Sequence, residues 1–418
     1  MRFRPIIFWL HLIAGIVAGI VILIMCATGV VLAFEKEIIA WAERDVRRVV
    51  PPQTGTPRLG LDELLNIVRE QRPGGRPSAI TVKSDANAAV LVGFGRTNTF
   101  YVDPYSGAIR DQGAKRVRAF MQTMIQCHRF LGGNTERRAL GKAITGACNA
   151  ALLFLALSGL YLWWPRQWTR SALRAVGLMN FKLRGKARDW NWHNAVGLWC
   201  APILIVLTAT ALPISYRWAG ELIYKVTGST PPAQATNPGT SPVEISVPAA
   251  NAKPLGMEAL FATAQKEIPQ WKQISYRGSS GGRSSRGESA PRPANTSANS
   301  SPSSSEPQEN HGRRPGNRPS PVILAVVEKG QWPLFSTTQL TLDPFTGVVL
   351  QKETFSDYNL GRQVRSWTRF LHTGEALGLA GKLVAALASA GAVLLVWTGF
   401  ALAWRRFSFH KFIKRYTS

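Results

Sequence analysis

Four stretches of the chain contain no Asp, Glu, Lys or Arg: Pro5 to Phe34, Ala143 to Pro165, Trp190 to Tyr216 and Leu383 to Trp404. At about 1.5 Å of rise per residue, each is long enough to cross a hydrocarbon core of ~30 Å. The pattern predicts a membrane α-helical protein with four transmembrane helices, and so a lipid bilayer as a partner. Between the runs the periodicity shortens. "LDELLNIVREQRP" (61–73) and "GMEALFATAQKEIP" (256–269) have helical apolar spacing. "AITV", "AVLVGF" and "TFYVDPYSGAI", and later "ISY", "VILAVVEKG" and "TTQLTLDPFTGVVL", alternate or run apolar as strands do. In each D-P-x-x-G the proline presets φ and the glycine supplies a positive φ, which marks a strand-turn-strand. Two small α+β modules are expected.

The chain also matches itself. "SGLYLWWPR" (158–166) and "TGFALAWRR" (398–406), "DPYSG" (103–107) and "DPFTG" (343–347), and "RFL" at 129–131 and 369–371 all share an offset of 240. His11-x-x-x-Gly15 and His193-x-x-x-Gly197, and Ala27-Thr28 and Ala209-Thr210, share an offset of 182. The difference is roughly the length of a Gly/Ser/Pro/Arg-rich stretch at 278–321, whose composition predicts a disordered insert. Two parallel repeats of helix, module, helix predict a pseudo-twofold axis along the membrane normal. The expected division is helix 5–34, module 35–137, helix 138–165, basic loop 166–189, helix 190–216, module 217–380 with its insert 278–321, helix 381–404 and tail 405–418.

Charge then orients the chain. Arg2 and Arg4, the basic residues of 166–189, and Arg405, Arg406, Lys411, Lys414 and Arg415 are expected on the cytoplasmic side, where short basic loops are retained. Both termini are thus expected in the cytoplasm of a multi-pass bacterial inner (cell) membrane protein, with the modules facing the periplasm. The first apolar run is too long for a secretory signal and reads as an anchor. The net charge of +26 is largely explained by this topology and by the insert, so it does not argue for nucleic acid. The four cysteines lack C-x-x-C spacing, which indicates neither a zinc site nor a disulfide framework, and C-x-x-C-H is absent.

The histidines carry the chemistry. With His311 in the insert and His410 in the tail set aside, His11 and His193 stand near the cytoplasmic ends of the first and third helices, and His128 and His372 just before the second and fourth. A twofold would bring these together as two pairs. Facing imidazoles are a natural ligand set for six-coordinate haem iron. Gly15, Gly197 and Gly132, one turn after three of these histidines, would clear space for a flat macrocycle. Histidines that only hydrogen-bond within the bundle, or that relay protons, are the competing readings. His128 precedes Gly141-Lys142 by 13 residues while His372 precedes Gly381-Lys382 by 9. Arg129, Arg369, Lys142 and Lys382 lie near this second pair and could contact haem propionates or anchor at the interface.

With the D-P-x-x-G turns, "CHRFLGG", "NWHNAVGLW" and "RFLHTGEALGLAGK", the chain resembles the PepSY-associated transmembrane family over nearly its whole length apart from the insert. The resemblance implies PepSY-like external modules and haem-iron ligand roles for His11, His193, His128 and His372, with two haem b groups. It further implies an oxidoreductase like the inner-membrane ferric-siderophore reductases of that family, passing electrons outward to a ferric siderophore or other iron chelate. The extra turn after His128 departs from the pattern. No G-x-G-x-x-G follows a strand, so the donor would be another cytoplasmic protein or a quinol. The alternatives are a membrane-tethered module that binds a peptide or partner, and an accessory subunit of a transporter.

Overall fold

A computed structural model of the chain describes residues 3–53, 55–71, 77–94, 98–164, 169–231, 245, 252–278 and 320–416. The insert read at 278–321, with His311, lies outside the described residues except for Gly278, Ser320 and Pro321.

The chain opens with α1 (Phe3–Leu32), followed by the short α2 (Glu35–Ala42), α3 (Arg44–Arg47) and α4 (Leu61–Gln71). Strands β1 (Ala79–Lys83), β2 (Val90–Phe94), β3 (Asn98–Val102) and β4 (Ile109–Asp111) lead into α5 (Lys115–Phe130) and α6 (Arg138–Trp163). After α7 (Arg170–Gly177) come α8 (Gly185–Ser215), α9 (Arg217–Val226), α10 (Met257–Glu267) and strands β5 (Trp271–Arg277), β6 (Val322–Glu328), β7 (Thr338–Leu342) and β8 (Val349–Glu353). The chain then forms α11 (Leu360–His372) and α12 (Gly378–Tyr416).

The four helices α1, α6, α8 and α12 are long and apolar enough to cross a membrane, and they coincide with the four charge-free runs. Their shared core is built from small and medium side chains: Ala18, Ile22 and Cys26 of α1, Ala156 of α6, Ala201 and Leu204 of α8, Ala388 and Ala392 of α12. Small residues let the backbones approach, which is how helices associate where lipid removes the hydrophobic driving force. Large apolar side chains such as Val17, Ile20 and Leu387 point outward. Pro213 sits in the last turn of α8, and the helix ends at Ser215 before an extended Tyr216.

The strands of the two expected modules form one sheet. Its order is β4-β3-β2-β1-β5-β6-β7-β8, antiparallel throughout. The seam is β1 against β5, with Ala79 opposite Arg277 and Lys83 opposite Gln273. Thr81 and Ser275 share a hydroxyl hydrogen bond of 3.1 Å across it. Leu64, Leu65 and Val68 of α4 and Leu260, Phe261 and Ala264 of α10 bury into a single core with Ile80, Ile274, Leu324 and Leu340. Asp62 of α4 accepts from the backbone N–H groups of Met257 and Glu258 at the start of α10, the arrangement that suits orphan N-terminal donors.

Both D-P-x-x-G segments form the expected turn. Asp103 Oδ1 accepts from the N–H of Tyr105 at 2.9 Å, and Asp343 Oδ1 from that of Phe345 at 2.8 Å. Gly107 and Gly347 both take φ of 71°. The Pro104 and Pro344 carbonyls accept from Leu59 and Leu255, the residues that lead into α4 and α10.

Glu43, between α2 and α3, is fully buried under Arg47, Arg118 and Tyr101. Arg118 gives its carboxylate two hydrogen bonds of 2.6 Å, which ties α5 to the segment that leaves α1. Burial pushes the Glu43 carboxyl up, but the hydrogen bonds from Arg118, Arg47 and Tyr101 outweigh it and hold the group below the usual carboxylate range. Burial and the neighbouring Glu43 push the Tyr101 phenol up to about 12 against the opposing charge of Arg47.

Candidate functional site

The bundle brings the four histidines together as two pairs. His11 of α1 faces His193 of α8 with ring centres 6.4 Å apart. His128 of α5 faces His372 of α11, also at 6.4 Å. Each helix α5 and α11 runs from the last strand of its segment back to the bundle, and this return places a histidine beside the transmembrane helices.

In every ring Nδ1 is occupied. His11 Nδ1 lies 2.8 Å from Ser158 Oγ on α6, and His193 Nδ1 lies 2.9 Å from Thr398 Oγ1 on α12. Each of these hydroxyls donates its single proton to the carbonyl four residues back, Phe154 or Leu394, so each must accept from the imidazole. His128 Nδ1 donates to the Met25 carbonyl and His372 Nδ1 to that of Leu207, both at 2.9 Å. A carbonyl only accepts. All four histidines therefore carry their proton on Nδ1, which leaves the Nε2 lone pair as the free coordinating atom. Fixing the tautomer through the second nitrogen is the usual way a protein prepares an imidazole ligand.

The partners recur at the offsets that relate the two halves of the sequence. Ser158 and Thr398 differ by 240 in number, and Met25 and Leu207 by 182. Met25 and Leu207 each follow their helix's own histidine by 14 positions, so the two pairs are separated along the bundle by about 21 Å at the rise of an α-helix.

Each pair opens into a cavity. That at His11 and His193 has a volume of about 1340 Å³, and that at His128 and His372 about 840 Å³. Gly159 and Gly399 lie over the two rings of the first pair, where an added Cβ would stand 3.4 Å from His11 Cε1 and 3.6 Å from His193 Cε1. Gly15 and Gly197 line the same cavity. Gly132 does not act in that way. With Leu131 at φ of 52° and Gly132 at 74°, its N–H returning to the Gln126 carbonyl, it terminates α5.

The four additional residues after His128 are absorbed between the helices. Gly141 packs so closely on α5 that a Cβ there would meet the Phe130 carbonyl, and Gly381 meets the Gly374 carbonyl in the same manner. Phe130 and Gly374 each lie two positions after their histidine, so the register is restored beyond the loop.

Arg129 and Arg369 line the second cavity with Lys142 and Lys382. Each arginine also lies over the phenylalanine that follows it, at 5.2 and 5.5 Å from the ring centre. Lys382 is paired with Glu37 at 2.7 Å. Arg365, which was not singled out from the sequence, joins them from α11. The first cavity is lined by Arg4, Lys186 and Arg406 and by no acid among the described residues.

A match to the PepSY-associated TM region extends over residues 8–406. The chain belongs to this family. No curated protein matches it.

As a PepSY-associated membrane protein, the chain has a site chemistry that can be tested against the group its sequence suggests. Among the described residues no group of three or more His, Cys, Asp or Glu could hold a metal ion. An axial pair on a macrocycle-bound iron needs only two protein ligands. Two imidazoles on opposite sides of one iron, at the usual metal–nitrogen distance of about 2.0–2.1 Å, have ring centres about 6.3 Å apart. Both pairs stand at 6.4 Å, so the residues fit.

Proposed function

We propose that this protein holds two b-type haems, one between His11 and His193 and one between His128 and His372, and carries electrons across a bacterial inner membrane to a ferric chelate. The observation that carries the reading is that both pairs share a 6.4 Å ring separation with all four Nδ1 atoms engaged. The bound haem would supply one-electron chemistry.

The chain's own residues do the rest. Ser158, Thr398 and the carbonyls of Met25 and Leu207 orient the ligand rings. Arg4, Lys186 and Arg406 at one cavity, and Arg129, Arg365 and Arg369 at the other, offer charge to the haem carboxylates. Leu152 and Leu204 line both cavities, so apolar side chains stand between them. We read the two halves as a duplicated unit about a pseudo-twofold axis, with PepSY-like modules on the periplasmic side and both termini in the cytoplasm. The recurrence of ligand partners at offsets of 182 and 240 and the distribution of basic residues support this. The donor would then be a cytoplasmic protein or a quinol, and the acceptor a ferric siderophore or similar chelate.

The deciding experiment is optical. Purified protein should show a reduced b-type haem spectrum with two haems per chain. His11→Ala and His193→Ala should each remove the same half of it, and His128→Ala and His372→Ala the other half. A colourless protein overturns the proposal, and loss of a common centre from His11→Ala and His372→Ala overturns the pairing.

A further inference from the structure

We infer that α9 and the loop between β6 and β7 form a seat on the bilayer surface that fixes the depth of α11. α9 begins immediately after Tyr216, the single residue that separates it from the membrane-spanning α8. It carries Trp218, Leu222 and Val226 at helical spacing, exposed by 58%, 48% and 78%. Its other side packs on α11, with the Tyr224 ring against Gly361 and Ser229 Oγ accepting from the Gly361 N–H at 3.0 Å. A short amphipathic helix leaving a membrane span, with an exposed apolar stripe whose Trp218 ring stacks on the adjoining Tyr216 at 5.9 Å, and with Lys225 and the Glu221-paired Arg217 beside it, has the composition of an interfacial helix.

The loop approaches α11 from another direction. Phe335 stacks on Phe370 at 4.2 Å and meets Trp367 edge-on at 5.0 Å. Beside these anchored rings, Trp332 and Leu334 remain exposed by 65% and 51%. Leu334 reaches Gly378, the first residue of α12. From there the exposed Leu379, Leu383 and Leu387 run down one side of α12, the side that a bilayer would cover. Trp332 and Leu334 extend that surface, and this continuity identifies lipid as the occupant. Tryptophan at such a boundary places its apolar ring among the acyl chains and its N–H among the headgroups. The segment is longer than its counterpart in the first half: nine residues join β6 to β7, whereas three join β2 to β3.

The experiment uses the unmodified full chain in phosphatidylcholine nanodiscs doped with a phosphatidylcholine bearing a diazirine near its acyl carbonyl. Irradiation and peptide mapping then locate the lipid adducts. Adducts on 217–226 and 329–337 should come within roughly threefold of those on 379–387 of α12, and exceed those on α4 and α10 by about tenfold. A triple Trp218→Asp, Leu222→Asp, Trp332→Asp variant should lose the adducts on the two segments and keep those on α12. Labelling of α12 with only the α4 level on both segments overturns the inference. So does covalent linkage of these segments to a second copy of the chain in place of lipid.

Discussion

His193 donates from Nδ1 to Thr398 Oγ1 at 2.9 Å, and Thr398, itself fully buried, passes its own proton to the Leu394 carbonyl. The threonine is therefore a pure acceptor towards the imidazole, and the same holds for Ser158 towards His11. Removing either hydroxyl leaves a buried N–H without its partner and releases the ring. Ser158→Ala and Thr398→Val should each lower haem retention at the His11/His193 centre by about 10–100-fold. Ser158→Thr should restore it. Haem titration of the apoprotein distinguishes these outcomes, with the other centre serving as internal reference.

The contact of Gly141 on the Phe130 carbonyl sets how closely α5 approaches α6. A methyl group there must displace backbone, because no flexible side chain can give way. Gly141→Ala should cost about 1–3 kcal/mol, seen as a lower melting temperature. It should also disturb the spectrum of the His128/His372 centre while sparing that of His11/His193. Gly381→Ala should act on the same centre from the opposite side.

Glu43 makes the fold sensitive to acid. Its folded-state pKa is depressed, so the stability it contributes is present above the unfolded carboxylate value near ~4.3 and is lost as pH falls through the lower folded value. Thermal unfolding followed from pH 7 downward should show a loss of stability below that range. Glu43→Gln should flatten this acid limb. At neutral pH it should cost about 3–5 kcal/mol, the usual consequence of breaking a buried ion pair on one side. Tyr101, with its phenol raised to about 12, remains a hydrogen-bond donor throughout and contributes no step to the curve.

The seam between β1 and β5 offers a separate test. Ser275→Pro would remove a ladder donor and introduce a ring into a central strand, costing roughly 3 kcal/mol or more. The bundle should persist, since its core of α1, α6, α8 and α12 is distinct from that of the sheet. Limited proteolysis should then cut within 61–111 and 257–353 while the histidine-bearing helices stay protected.

The membrane helices were legible because a charge-free run of that length has few other uses. The histidine pairs were legible because offsets of 182 and 240 align His11 with His193 and place His128 and His372 before matching motifs. Ser158 and Thr398 lay within one such motif and could have been found there as hydroxyls preceding a shared glycine. Met25 and Leu207 could not, because they act through carbonyls that any residue supplies. The joining of the two sets of strands was equally hidden. Thr81 and Ser275 are 194 residues apart, and nothing local marks β1 and β5 as neighbours. Gly132 was misread because a glycine one turn beyond a histidine has the same spacing whether it clears space or ends the helix.

The shared sheet limits how the molecule can move. Five residue pairs join β1 to β5, and Asp62 adds a further tie from α4 to α10. A transporter that rocks one half against the other would have to shear this seam open in every cycle. Here the two halves are riveted at one end, so the four helices behave as struts of a single frame. The spacing between the histidine pairs is then a dimension set by the frame as a whole.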